Sequence, residues 1–178
     1  AGAVLPGATR SRPHRRDIQG LRAVAVGLVV LDHAGWLPGG FLGVDVFFVL
    51  SGFLITGLLL AELERSGTIS LRDFYARRAR RILPAATLVA LATLLGSVLV
   101  LGDVRTAEVT RDVVLVALFA INWALAAQGA DYFAQGADQS PFQHYWSLAV
   151  EEQFYLGWPL LVLGAALLAT RLRGRGVR

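Results

Sequence analysis

Residues Leu21 to His33, LRAVAVGLVVLDH, form an apolar run with Arg22 at its start and Asp32 and His33 at its end. Read as a helix, the eleven steps from Arg22 to His33 carry the chain through three turns plus about 20°, so the two side chains share one face. Along the axis they stand about 16 Å apart, around half the hydrocarbon thickness of a bilayer. An arginine at one membrane surface and a titratable imidazole deep in the same helix are costly in lipid, and such residues mark functional positions.

Working outward, the rest of the chain is equally apolar. Of its 178 residues 55% are apolar, and the mean hydropathy of +0.56 is high for an ordinary soluble domain. Leu83 to Leu101 runs without a charge, Gly43 to Ala61 is broken only by Asp45, Leu156 to Thr170 is uncharged, and Val113 to Gln128 carries one asparagine, Asn122. Long runs with few charges are membrane-span candidates, so the expected fold is all-α, a polytopic transmembrane bundle of four to five membrane-embedded helices. The absence of cysteine excludes disulfides, thiolate catalysis and Cys-ligated metals. Three histidines far apart, with no HExxH-like pairing, speak against a metal, and no Gly-rich phosphate loop of nucleotide-binding spacing is present. The formal charge of +4 could suggest nucleic acid, yet all seventeen basic residues are arginines beside the apolar blocks, where topology signals belong.

The chain divides into a basic cytoplasmic tail at 1–19, a membrane domain at 20–170 and a second basic tail at 171–178. Arg10, Arg12, Arg15 and Arg16 stand among Pro and Gly in the first tail, which also holds His14, for which no role is expected. A basic start before an apolar run could be a secretory signal, but no A-x-A-like site follows and charges interrupt the run; it reads as a retained first span with a cytoplasmic N-terminus. Gly35, Pro38, Gly39 and Gly40 make an outer turn. Asp45 opens the second span, in which Ser51-Gly52 and Thr56-Gly57 are small pairs suited to close helix approach. Arg72, Arg77, Arg78, Arg80 and Arg81 then face the cytoplasm, Pro84 suits the first turn of the third helix, and Gly102 to Asp112 reads as an outer segment. Five simple crossings would strand Arg171, Arg173, Arg175 and Arg178 outside. Val113 to Gln128 is therefore read as a tilted or partly inserted helix, unless the tail is unconstrained. A polar loop over 129–145 leads into HYWSLAVEEQFYLGWP, which sets Glu151 and Glu152 near the start of a greasy helix.

Four segments in order resemble the acyltransferase 3 family, the membrane-bound acyltransferases that include O-antigen and peptidoglycan O-acetyltransferases. They are RDIQGLRAVAVGLVVLDH, GGFLGVDVFFVLSGFLIT, FYARRARRILP and HYWSLAVEEQFYLGWP, within residues 15–160. The match is to the family's N-terminal half. The domain at 20–170 is thus a partial acyltransferase domain, truncated relative to the family, and the resemblance implies further spans, which another chain could supply.

What the resemblance implies is transfer of an acyl group, acetyl being the expected one, from cytoplasmic acyl-CoA to a hydroxyl of an extracytoplasmic glycan or glycolipid. Acyl-CoA is a donor substrate, and no resident cofactor, metal or nucleic acid is expected. The expected location is the bacterial inner membrane, with lipid as a partner. A sugar hydroxyl is a poor nucleophile near neutral pH, which makes His33 the candidate general base or transient acyl carrier; otherwise it is an interfacial histidine. Asp32 points about 100° away from it on a helix. Arg22 is a candidate for the donor phosphate or a residue that snorkels to the inner surface. Arg77, Arg78, Arg80 and Arg81 suit the CoA phosphates or, equally, anionic lipid. Glu151 and Glu152 could pair with Arg22 or another arginine, shape the donor site or polarise the histidine; otherwise they complement a helix N-terminus. Asp45, Ser51, Tyr145, Trp146 and Ser147 are weaker candidates, the aromatics between 142 and 158 could form an interfacial belt, and His144 could meet an acceptor sugar or do nothing. The rival readings are half of a transporter for an acylated lipid or sugar, and a non-catalytic membrane fragment.

Overall fold

The structure, a computed structural model, describes residues 15–101, 103–127 and 140–175. Arg10, Arg12, His14, Gly102, Gln128, most of the 129–145 loop and Arg178 lie outside the described residues. Six helices make up the fold: α1 Arg16–His33, α2 Leu42–Ser66, α3 Leu71–Val100, α4 Asp103–Ala117, α5 Ile121–Ala127 and α6 Tyr145–Arg175. Among the described residues there is no strand, so the fold is all-α. Three helices are long and apolar enough to cross a membrane: α2 with 25 residues, α3 with 30 and the Tyr145–Leu172 part of α6 with 28, against the ~20 that a bilayer requires. Val49, Leu99 and Leu161 are among the large apolar side chains that these helices leave exposed, as helices facing lipid do. α1 is shorter, at 18 residues, and carries Arg16, Asp17, Arg22 and Asp32. The chain divides into two compact units within α2, between Ile55 and Thr56.

In the first unit α1 begins at Arg16, inside the segment read as a loose tail. The Arg15 guanidinium donates to both Asp17 carboxylate oxygens, at 3.0 and 2.6 Å, in the first turn, where an acidic residue complements the helix dipole. That hydrogen bond holds the Asp17 carboxyl down at about 2, ahead of the apolar run. The helix ends in a Schellman turn: Gly35 donates to the Asp32 carbonyl and Trp36 to that of Leu31, both at 2.9 Å, with Gly35 at φ 73°. The expected turn follows, and α2 enters across α1 at Gly40 and Gly43. A Cβ on Gly40 would collide with the Leu28 carbonyl oxygen and lie 2.8 Å from Asp32 Cβ; one on Gly43 would collide with the Ala25 carbonyl oxygen and lie 2.9 Å from Val29 Cγ2. Backbone approach is thus placed at Gly40 and Gly43. At Gly57, expected to serve this purpose, an added Cβ meets nothing within 4 Å. The reason is the short α1–α2 turn, which forces the two backbones together near the turn rather than deeper in α2.

In the second unit Gly67, at φ 72°, ends α2, and Ser70 caps α3 by accepting from the Asp73 amide at 3.4 Å. Ser70 in turn donates its own amide to Glu62 Oε1 at 2.8 Å. Because the cap lies ahead of the arginine cluster, α3 runs through the arginines into the apolar block, and Pro84 falls inside the helix rather than in its first turn. Gly102 to Asp112, expected as an outer connection, is helical in α4 from Asp103, with an Arg105–Glu108 pair at 3.0 Å on its surface and Val109 buried. The run from Val113 does not form one tilted helix. It breaks at Phe119, whose φ of 50° closes a second Schellman turn, with Phe119 donating to Val116 and Ala120 to Leu115. α4 packs on α3 and α5 on α6, around a core that includes Val109, Val116, Ile121, Phe142 and Ala149. α6 continues to Arg175, past the 170 boundary drawn for the second tail.

Candidate functional site

α3 and α6 bring Arg78 against Glu152. Arg78 Nη2 donates to Glu152 Oε1 at 2.6 Å, and the two side chains are only 17% and 15% exposed. The Arg78 guanidinium carbon also lies 3.3 Å from the centre of the Tyr155 ring, and the Tyr155 hydroxyl donates to Glu151 Oε1 at 2.5 Å. Residues 151, 152 and 155 are spaced i, i+1 and i+4, so positions three and four apart share one side of α6. Both carboxylates therefore act on one cation, Glu152 directly and Glu151 through the ring it anchors. With both side chains so little exposed, either charge alone would be costly, and the pair is what makes their burial tolerable. Glu151 and Glu152 are the seventh and eighth residues of α6, beyond the first turn in which a helix dipole is effective. Dipole complementation does not account for them. Arg78 Nε is buried and has no partner among the described residues.

Gln153 fixes the neighbouring wall. Its Nε2 donates to the Phe119 carbonyl at 2.7 Å and to Asn122 Oδ1 at 2.9 Å, while Asn122 Nδ2 donates back to Gln153 Oε1 at 3.3 Å. On the other side the Tyr75 hydroxyl donates to the Leu156 carbonyl at 2.7 Å. Tyr75, Arg78, Glu152, Gln153 and Tyr155 line a partly open cavity of about 380 Å³, with Ile82, Leu83, Leu118, Phe119 and Leu156 as its apolar walls.

The other arginines of the cluster do not enter this arrangement. Arg77 is 52% exposed and stands 3.9 Å from Glu62, Arg80 donates to its own helix at Ala76, and Arg80 and Arg81 are exposed.

In the first unit Arg22 is half-buried and lies on the stripe of Ile18, Ala25 and Val29, at the i, i+3, i+4 and i+7 spacing of one helix face. His33, exposed, is the last residue of that stripe. Its Nδ1 is 2.8 Å from the Val29 carbonyl oxygen. A carbonyl only accepts, so Nδ1 carries the proton, and in the neutral ring Nε2 keeps its lone pair. Asp45 is exposed in the first turn of α2, and Ser51 is half-buried further along it.

The remaining candidates sit near the start of α6. Tyr145 is buried in the core, edge-on to Phe142, with its hydroxyl donating to the Ala86 carbonyl at 3.2 Å. Trp146 is half-buried, and Ser147 donates to the His144 carbonyl at 3.3 Å. Tyr145 is thus accounted for by packing. Sequence reasoning missed Tyr155, Gln153 and Tyr75. The signal for Tyr155 was present in its spacing, three and four residues after the two glutamates.

Comparison with known proteins gives the family. The model of the family described as "Acyltransferase domain" matches residues 15–177. The O-acetyltransferase OatA of Staphylococcus aureus strain NCTC 8325 is 44% identical over 147 residues, covering 82% of this chain and 24% of that protein, and OatA of strain N315 gives the same values. The chain belongs to this acyltransferase family, the acyltransferase 3 group, and is a helical membrane protein. It spans about a quarter of the length of the curated relatives it matches. No solved structure matches.

Proposed function

We propose that this chain carries the donor-binding and proton-transfer part of an inner-membrane O-acyltransferase, which moves an acyl group from cytoplasmic acyl-CoA to a hydroxyl of an extracytoplasmic glycan or glycolipid. The observation that carries this reading is how α1 holds His33. The bond to the Val29 carbonyl occupies Nδ1 and leaves Nε2 as an acceptor, the form a general base requires. In the reaction the acceptor hydroxyl gives its proton to Nε2 as its oxygen attacks the thioester carbonyl carbon. The C–S bond then breaks, the thiolate leaves, and the imidazolium returns the proton to it. The exposed Arg77, Arg80 and Arg81 offer guanidinium groups to the donor phosphates, which favour paired N–H donors. The names of the matched relatives, O-acetyltransferases, support acetyl as the group moved.

The test is acyl transfer from acyl-CoA to envelope glycan by membranes holding His33→Ala or His33→Gln protein at normal levels. Loss of a general base lowers the rate by about 10²- to 10⁴-fold. Acylation at the wild-type rate would overturn the assignment.

A further inference from the structure

The arginine cluster is not one binding surface. Arg77, Arg80 and Arg81 are exposed, whereas Arg78 faces inward, its charge balanced by Glu152 and its plane covered by Tyr155. An anion brought to Arg78 would have to displace Glu152 and lose its hydration in an apolar pocket, at a cost that a neutral ligand avoids. Glu152 occupies Nη2, while the buried Nε has no partner among the described residues, so Arg78, which lines the cavity, retains donor capacity there. The cavity offers little else that is polar at this corner, because the Gln153 amide is committed to Phe119 and Asn122. Its walls are Ile82, Leu83, Leu118, Phe119 and Leu156, and its 380 Å³ exceeds what an acetyl group fills. The matching ligand has one acceptor oxygen joined to an apolar chain and no charge.

We propose that this cavity seats the acyl end of the thioester donor, with the carbonyl oxygen on Arg78 and the chain along Leu83 and Leu118, so that these side chains set which acyl lengths are accepted. Glu152, and Glu151 acting through Tyr155, are on this view positioning residues that hold Arg78 rather than groups that exchange protons. The proposal rests on the acyl-CoA reading above. It divides the donor into a phosphate end bound by the exposed arginines and a neutral end bound by the cavity.

The test is the binding of acetyl-, butanoyl- and hexanoyl-CoA to the purified protein in nanodiscs, measured for wild type, Leu118→Trp, Ile82→Trp and Arg80→Ala/Arg81→Ala. In the wild type each added methylene is expected to tighten binding about fourfold, the worth of burying one such group. Leu118 is exposed at the cavity edge, so its replacement by Trp fills space without disturbing the core, and Ile82→Trp repeats the test from α3. Both are expected to flatten the chain-length dependence to that of empty nanodiscs. The double arginine variant should weaken all three thioesters by a common factor of ten or more and leave the dependence unchanged. Equal chain-length dependence in the wild type and both tryptophan variants overturns the cavity assignment while the donor reading stands. Failure of every thioester to bind the wild type overturns both.

Discussion

A single guanidinium shows how much of this protein depends on matched charges at low dielectric. Arg78 is held by Glu152 at 2.6 Å and by the Tyr155 ring at 3.3 Å. Glu152→Gln is therefore expected to cost about 2 kcal/mol of stability, because it leaves a mostly buried cation without its counter-charge. Replacing both partners by leucine should cost less than the sum of the single changes, which thermal unfolding of a double-mutant cycle in detergent would measure. Tyr155→Phe keeps the ring over the cation but releases Glu151. It should raise the donor KM several-fold with little change in kcat, whereas a drop in kcat alone would place Glu151 or Tyr155 in the chemistry instead. Spacing along the chain made Glu151 and Glu152 recognisable as unusual carboxylates but did not identify their partner. Arg78 lies 74 residues away in sequence, and a helix period fixes which side chains share a face, not what that face meets. The same holds for Gln153, an amide on a greasy helix whose use depends on where the Phe119 turn falls.

The helices separate what composition announces from what local geometry decides. The uncharged runs of α2, α3 and α6 were legible because the bilayer sets their length. The caps were less legible. Ser70 starts α3 before the arginines and leaves Pro84 inside it, and Phe119 stops the run from Val113 in a conformation that a bulky side chain seldom adopts. Gly57 does not mark the approach of α1 and α2 for a physical reason: small residues permit close approach, but the crossing point is set by the turn from α1. Gly40→Ala and Gly43→Ala are expected to lower the melting temperature in detergent sharply or to abolish folded protein, since each Cβ meets a carbonyl of α1. Gly57→Ala should be neutral or gain up to about 1 kcal/mol, the usual helix preference for Ala over Gly. Gln153→Ala should cost about 1–3 kcal/mol by leaving the Phe119 carbonyl and the Asn122 amide without partners, read from the same melts.

At the scale of the whole molecule, two compact units carry different chemistry. The first holds a histidine whose accepting nitrogen is left open at the end of a half-buried stripe, and the second holds a charge-balanced arginine over an apolar cavity. Family membership is the ground on which acyl transfer is proposed for these features. The proposed transfer of an acyl group to an envelope hydroxyl is read by mass spectrometry of envelope glycan from otherwise identical cells with and without the gene. On the glycan an added acetyl mass is expected that disappears with the gene and on His33→Ala; glycan of identical mass in all three strains would refute the proposed transfer.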